Sequence, residues 1–223
     1  MRELARRIDH TLLKPDATPE QVERLCDEAR EFGFATVCVN SCHVPLCRRR
    51  LAGNPVGVCA VVGFPLGAAL REAKAAEAAS AVSLGADEID MVMNLGWFKA
   101  GADEMVVSDI SRVVSAAGGR PVKVIIETCL LDGGEKARAT ELVVAGGGSY
   151  VKTSTGFSTG GATAEDVALL ARAAAGRIGV KASGGIRDLA AARRMVEAGA
   201  TRLGTSSGVR IIRQMTDESD RQE

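Results

Sequence analysis

Aromatic residues are scarce in this 223-residue chain: one Trp, one Tyr and five Phe, 3% of the total. So few rings leave little surface on which nucleic-acid bases could stack. Charge of one sign is not in excess either, since Lys plus Arg and Asp plus Glu each number 28. A balanced chain of this kind argues against a nucleic-acid or anionic-membrane partner. No stretch approaches the roughly 18 consecutive apolar residues of a membrane helix. The segment from Met1 to Ile8 is charged and has no apolar centre, so no signal peptide is expected and a cytoplasmic location is. Six cysteines in a chain of this length read as cytosolic thiols rather than a disulfide framework. Gly-x-Gly-x-x-Gly does not open a first strand–helix unit, which weakens a dinucleotide-binding reading.

What the chain does have is 46% hydrophobic residues, mostly Ala, Val, Leu and Ile, as helices packed on parallel strands require. No linker divides it, and residues 1–223 read as a single domain whose polar tail, 216–223, is expected to fray. A pattern recurs: a short β-rich run, a Gly/Asn/Ser turn, then an amphipathic helix. The strand candidates are Ile8–Leu12, Ala35–Asn40, Val56–Val62, Glu88–Asn94, Val122–Glu127, Tyr150–Ser154, Gly179–Ser183 and Arg202–Thr205. Between them, Thr18-Pro-Glu-Gln21 reads as a capping box with proline at the first helical position. Thr163-Ala-Glu-Asp166 opens a helix with acids at its positive end, and Gly85 and Gly199 stand where helix C-terminal glycines belong. Eight alternating units predict an α/β fold of the (β/α)8 TIM-barrel type.

Side chains alternate along a strand. Asp90 shares a face with Glu88 and Val92, opposite Ile89 and Met91. The same alternation puts Lys123 with Glu127, Lys152 with Tyr150 and Ser154, Lys181 with Ser183, Cys38 with Thr36 and Asn40, and Asp9 with Thr11. With the apolar faces against the helices, the predicted interior sets Asp9, Asp90 and Glu127 against Lys123, Lys152 and Lys181. An ordinary barrel core is filled with Val, Ile and Leu. A buried ion-pair network with no chemical role is the competing explanation.

Lys152 and Lys181 each end a strand and run into small residues and glycine: Lys152-Thr-Ser-Thr-Gly156 and Lys181-Ala-Ser-Gly-Gly185. A free lysine, with pKa about 10.4, is a poor nucleophile at neutral pH. Burial or a nearby cation makes the neutral amine accessible, and Lys181 is placed to be that cation for Lys152. Lys152 could then form a Schiff base while Asp90 moves protons. Alternatively, both lysines simply grip a phosphate. The turns Gly184-Gly185 and Gly204-Thr-Ser-Ser-Gly208 each precede a helix, the usual phosphate position of such barrels. Ordinary tight turns are the simpler explanation for either one alone.

Seven segments resemble deoxyribose-phosphate aldolases of the Schiff-base class, in family order and over almost the whole chain. They are Asp9-His-Thr-Leu-Leu-Lys-Pro15, Val37-Cys-Val-Asn40, Glu88–Asn94, Lys123-Val-Ile-Ile-Glu-Thr128, Val151–Gly156, Val180–Arg187 and Leu203–Ser207. The resemblance implies a (β/α)8 barrel that reversibly cleaves 2-deoxy-D-ribose 5-phosphate to glyceraldehyde 3-phosphate and acetaldehyde. It implies Lys152 as the Schiff-base lysine, Lys181 as its cationic neighbour and proton-transfer partner, and Asp90 as a proton relay. Thr155, Gly156, Gly184, Gly185, Gly204, Ser206 and Ser207 match positions around the phosphate, and Asp9, Thr11 and Cys38 match other pocket positions. Phe157 departs from relatives that carry a lysine there, and Arg187 could compensate.

No cofactor and no metal are expected. Cys38, Cys42, His43 and Cys47 lack paired zinc spacing and would point to different faces. His10 would point away from the interior if Asp9 and Thr11 face it. The expected partners are a sugar phosphate and small aldehydes, with no nucleic acid and no membrane, and a homo-oligomer (dimer or tetramer) is expected. A barrel isomerase or a non-catalytic sugar-phosphate binder remain the alternatives.

Overall fold

The computed structural model describes residues 2–220. Among them, eight strands form a closed, all-parallel barrel in sequence order. The strands are β1 (Ile8–Leu12), β2 (Thr36–Val39), β3 (Gly57–Val62), β4 (Glu88–Val92), β5 (Val122–Ile125), β6 (Tyr150–Lys152), β7 (Gly179–Ser183) and β8 (Arg202–Thr205). A short α1 (Arg2–Ala5) precedes the barrel. The outer layer holds α2 (Pro19–Phe32), α3 (Val44–Arg50), α4 (Arg71–Ser83), α5 (Leu95–Lys99), α6 (Asp103–Ala116), α7 (Gly133–Ala145), α8 (Ala164–Ala174), α9 (Leu189–Glu197) and α10 (Gly208–Asp220). No helix is long and apolar enough to cross a membrane among the described residues.

Alternation along the strands produces two cores. Ile89, Met91, Val122, Val124, Val151, Val180 and Leu203 face outward and are buried against the helices in one large apolar cluster. Inside the barrel the apolar residues include Leu13, Cys38, Cys59 and Val61, with Val92 and Ile125 buried on the strand faces of Asp90 and Lys123. The expected helix starts are present. Thr18 caps α2 in a full capping box with Pro19 in its first turn, and Thr163 caps α8 by accepting from the Asp166 amide. Gly85 and Gly199 follow α4 and α9 with φ of 109° and 111°, which a side chain would oppose.

Several strands end earlier than the sequence suggests, each for a local reason. β4 stops at Val92 because Asn94 turns its side chain to cap α5, accepting from the Trp97 amide. β5 stops at Ile125, and Glu127 takes a left-handed conformation, φ 50°. β6 stops at Lys152, and Thr153 continues the join to β7 through its side chain: Oγ1 donates to the Ser183 carbonyl and accepts from the Ser183 amide. Residues 216–220 belong to α10, whose Ile211 and Ile212 are buried in the core. An ion pair of 2.7 Å from Arg193 on α9 to Glu218 fastens this last turn, and residues 221–223 lie outside the described part.

One buried charge pair lies outside the barrel interior. Lys74 on α4 is fully buried, 2.6 Å from Asp109 of α6, and donates to the Val92 carbonyl at the end of β4. The pair fastens two helices to the strand that carries Asp90.

Candidate active site

Strand register assembles the interior charges. Asp90 is the partner of Lys123 across β4 and β5, and Lys152 is the partner of Lys181 across β6 and β7. Lys181 is in turn the partner of Arg202 on β8. Partners in register point to the same face, so these side chains meet inside the barrel. Asp90 collects three ammonium groups. Lys123 donates to its Oδ1 at 2.6 Å, and Lys152 and Lys181 donate to its Oδ2 at 2.7 and 2.6 Å. Lys181 also pairs with Asp9. Beneath them Arg202 bridges Asp9 and Glu88, and Lys123 completes the link with a 2.7 Å contact to Glu88.

These contacts decide the protonation of the network. Burial pushes the Asp90 carboxyl up, but Lys123, Lys152 and Lys181 outweigh it and hold the group well below the usual carboxylate range. Burial likewise raises Asp9, and Lys181, Lys123 and Arg202 bring it below its ordinary value. For Lys181, burial favours the neutral amine, yet the carboxylates of Asp9 and Asp90 hold it above the ordinary lysine value. Lys181 is therefore a fixed cation beside Lys152.

A cavity of about 260 Å³ opens above the network at the C-terminal ends of the strands. Lys152 is the one lysine of the network that lines it, while Lys123 and Lys181 are sealed below. Thr11, Thr155, Gly156, Gly184, Gly185, Arg187, Gly204 and Ser206 line the cavity, and Lys14 joins them. Gly156, Gly184 and Gly185 have φ of 84°, 87° and 79°, a conformation that leaves backbone amides bare in these turns. Gly204 is needed for closeness: a Cβ there would press on Ser183 Oγ and stand 3.1 Å from Lys181 Cε.

Other expected residues lie away from the cavity wall. Asp9 and Cys38 are fully buried beneath the cavity rather than lining it, because Asp9 is drawn down by Arg202 and Lys181 and Cys38 packs on Asp90 and Cys59. Ser207 lies behind the last turn, its amide donating to Thr205 Oγ1, and faces a separate groove with His10 and Glu28. Glu127 leaves the lysine network: its carboxylate accepts from the Thr155 amide and hydroxyl, shaping the turn that carries Gly156. Glu88 and Arg202 take its place in the charge balance. Glu88 shares the Asp90 face in the sequence, whereas Arg202 at the very start of a short strand gave no comparable signal. His10 points outward as expected, 2.7 Å from Glu28 and beside Phe34. Phe157, half-exposed, packs edge-on against Phe64 at 5.2 Å, so one wall of the mouth is apolar.

The arrangement offers an amine at a cavity, a cationic neighbour, a carboxylate between them and an amide-rich rim. Known proteins resemble the chain over nearly its full length. A deoxyribose-phosphate aldolase of Geobacillus sp. (strain WCH70) is 55% identical over 218 residues, covering 97% of this chain and 98% of that one. One from Brevibacillus brevis is 57% identical over 205 residues, covering 92% and 93%. Among solved structures, the aldolase QR15 superposes with a TM-score of 0.95 at 40% identity, covering all of both chains. A deoxyribose phosphate aldolase from Aeropyrum pernix, described as having a unique tetrameric structure, gives 0.90 at 38% identity, covering 96% and 92%. With residues 4–215 matching the DeoC/LacD family aldolase, the chain belongs to that aldolase family.

Proposed function

We propose that the protein is a Schiff-base aldolase that reversibly cleaves 2-deoxy-D-ribose 5-phosphate to D-glyceraldehyde 3-phosphate and acetaldehyde. The observation that carries this is the unequal placement of two register partners: Lys152 reaches the cavity, and Lys181 is buried behind it as a cation.

The amine of Lys152 attacks the C1 aldehyde of the open-chain sugar and water is lost, leaving an iminium. A base removes the C3 hydroxyl proton, and that oxygen keeps its electrons as a new carbonyl. The C2–C3 bond breaks and its pair flows into the iminium, so glyceraldehyde 3-phosphate departs and an enamine remains on Lys152. A proton added to the enamine carbon and a returning water then release acetaldehyde. Asp90, within hydrogen-bond distance of both lysines, is placed to pass protons between them. Two ammonium groups on one oxygen are about 5 Å apart or less, where like charges cost about 3 kcal/mol at an effective dielectric near 20. Forming the neutral amine or the enamine relieves that repulsion.

The phosphate is assigned to the amides and hydroxyls of Gly156, Gly184, Gly185, Gly204 and Ser206, with Arg187 and Lys14 as cations at the rim. The alternative in which Lys152 and Lys181 both grip phosphate fits poorly with Lys181, which is fully buried and saturated by Asp9 and Asp90. The relatives support this substrate by their names, and the Aeropyrum pernix protein supports a homo-oligomer. A soluble enzyme of the cytoplasm is the corresponding location.

Turnover of deoxyribose 5-phosphate, followed by reduction of the released glyceraldehyde 3-phosphate, tests the proposal. Activity that survives EDTA and disappears in Lys152→Leu supports it. Undiminished turnover in Lys152→Leu would refute it.

A further inference from the structure

A second constellation lies beneath the lysine pair. Cys38 on β2 and Cys59 on β3 are register partners on adjacent parallel strands, so both thiols enter the interior, where both are fully buried. The Cys59 thiol donates to Asp90 Oδ1 at 3.1 Å, and Cys38 Sγ lies 4.0 Å from Asp90 Oδ2. The two sulfurs and a carboxylate oxygen fall within 4.8 Å of one another. Bonds of about 2.3 Å to sulfur and 2.0–2.2 Å to oxygen around a tetrahedral zinc ion set such donors roughly 3.6–3.8 Å apart. A triangle of at most 4.8 Å on a side has to contract by no more than about 1 Å to reach that size.

We propose that Cys38, Cys59 and Asp90 form a capture site for a soft d10 cation, zinc or cadmium, whose occupancy switches the lysine chemistry off. The capture stands on geometry alone; the switching rests on the aldolase assignment above. One dication displaces the two thiol protons to solvent, giving a metal dithiolate, so the net charge of the interior is unchanged. That balance is what lets a dication sit among ammonium groups. Lys123 Nζ, 3.3 Å from Cys59 Sγ, is placed to donate to the thiolate once formed. The ion's own charge removes both thiol protons.

Coordination draws Asp90 away from Lys152 and Lys181, which share its Oδ2. The way in is the cavity mouth, past Lys152. This set differs from the Cys38, Cys42, His43, Cys47 cluster of the sequence, in which Cys42 is exposed and Cys47 packs on Cys26 in the helix layer.

The test is titration of the full chain with cadmium chloride in a Cys42→Ser/Cys129→Ser background, which removes the two exposed thiols. The ultraviolet thiolate-to-cadmium absorption, proton release and turnover are read together. The expected result is one cadmium and two released protons per chain, with turnover falling in step and returning on addition of EDTA. Loss of an outer-shell partner alone weakens metal sites about 10–100-fold, so Cys59→Ala should weaken cadmium at least that much and halve the absorption. Lys152→Leu should keep the full absorption, so the site is tested even if the aldolase assignment fails. Where Cys59→Ala disturbs the barrel, cadmium-113 resonance of the unsubstituted site should report two sulfur ligands with oxygen. Binding that vanishes with the two exposed thiols, or that persists undiminished in Cys59→Ala, would overturn the site. Full occupancy with undiminished turnover of an active enzyme would overturn the switch.

Discussion

Lys152 and Lys181 are register partners on β6 and β7, and both donate to the same oxygen of Asp90. Their surroundings make them unlike. Lys181 has Asp9 behind it and is sealed from the cavity, whereas Lys152 opens onto it. The pair therefore divides into a nucleophile and a fixed charge.

Lys181→Leu should move the rising limb of the kcat/KM profile to higher pH. Burial works to neutralise Lys181, but Asp9 and Asp90 raise its affinity for the proton, so it stays cationic through neutral pH and repels a second ammonium. An unmoved limb would leave Lys181 a positioning role alone.

Gly204→Ala should lower kcat/KM more than it lowers stability. The added methyl meets Ser183 Oγ and the Lys181 stem, so the ammonium must shift off Asp90. Overpacking of this kind costs about 1–3 kcal/mol of stability. Ser183→Ala in the same chain vacates part of that space and should restore some activity. Turnover and urea unfolding of the single and double variants measure both effects.

Much of this site is legible from alternation alone. Asp90, Lys123, Lys152 and Lys181 fall on one set of faces because a strand period of two leaves no other choice once Ile89, Val124, Val151 and Val180 are placed against the helices. What alternation misses depends on where a strand ends. Glu127 keeps the face of Lys123 in the sequence, but two residues past the end of β5 its backbone turns left-handed and its carboxylate goes to Thr155. Depth is equally hidden: Asp9 and Thr11 share a face, yet one is sealed under Lys181 and the other lines the cavity. Lys74 and Asp109 lie on surface helices whose composition gives no sign that both are buried, and they meet only through packing of α4 on α6.

That pair yields a stability test. Asp109→Leu leaves the Lys74 ammonium buried without a counter-charge, and breaking such a pair costs about 3–5 kcal/mol. Replacing both, as Lys74→Met with Asp109→Leu, should recover most of it, since an apolar pair of similar volume is often neutral or stabilising. Denaturant unfolding of the two single variants and the double variant reads the coupling directly. Simple additivity of the single losses would show that the ion pair is not coupled.

The most direct measurement is borohydride trapping followed by mass mapping of the labelled peptide. Incubated with deoxyribose 5-phosphate and then reduced, the protein should gain one stable adduct per chain on Lys152, and none in Lys152→Leu. An adduct on Lys181 or Lys123, or full turnover with no adduct at all, would contradict the assignment of Lys152 as the nucleophile.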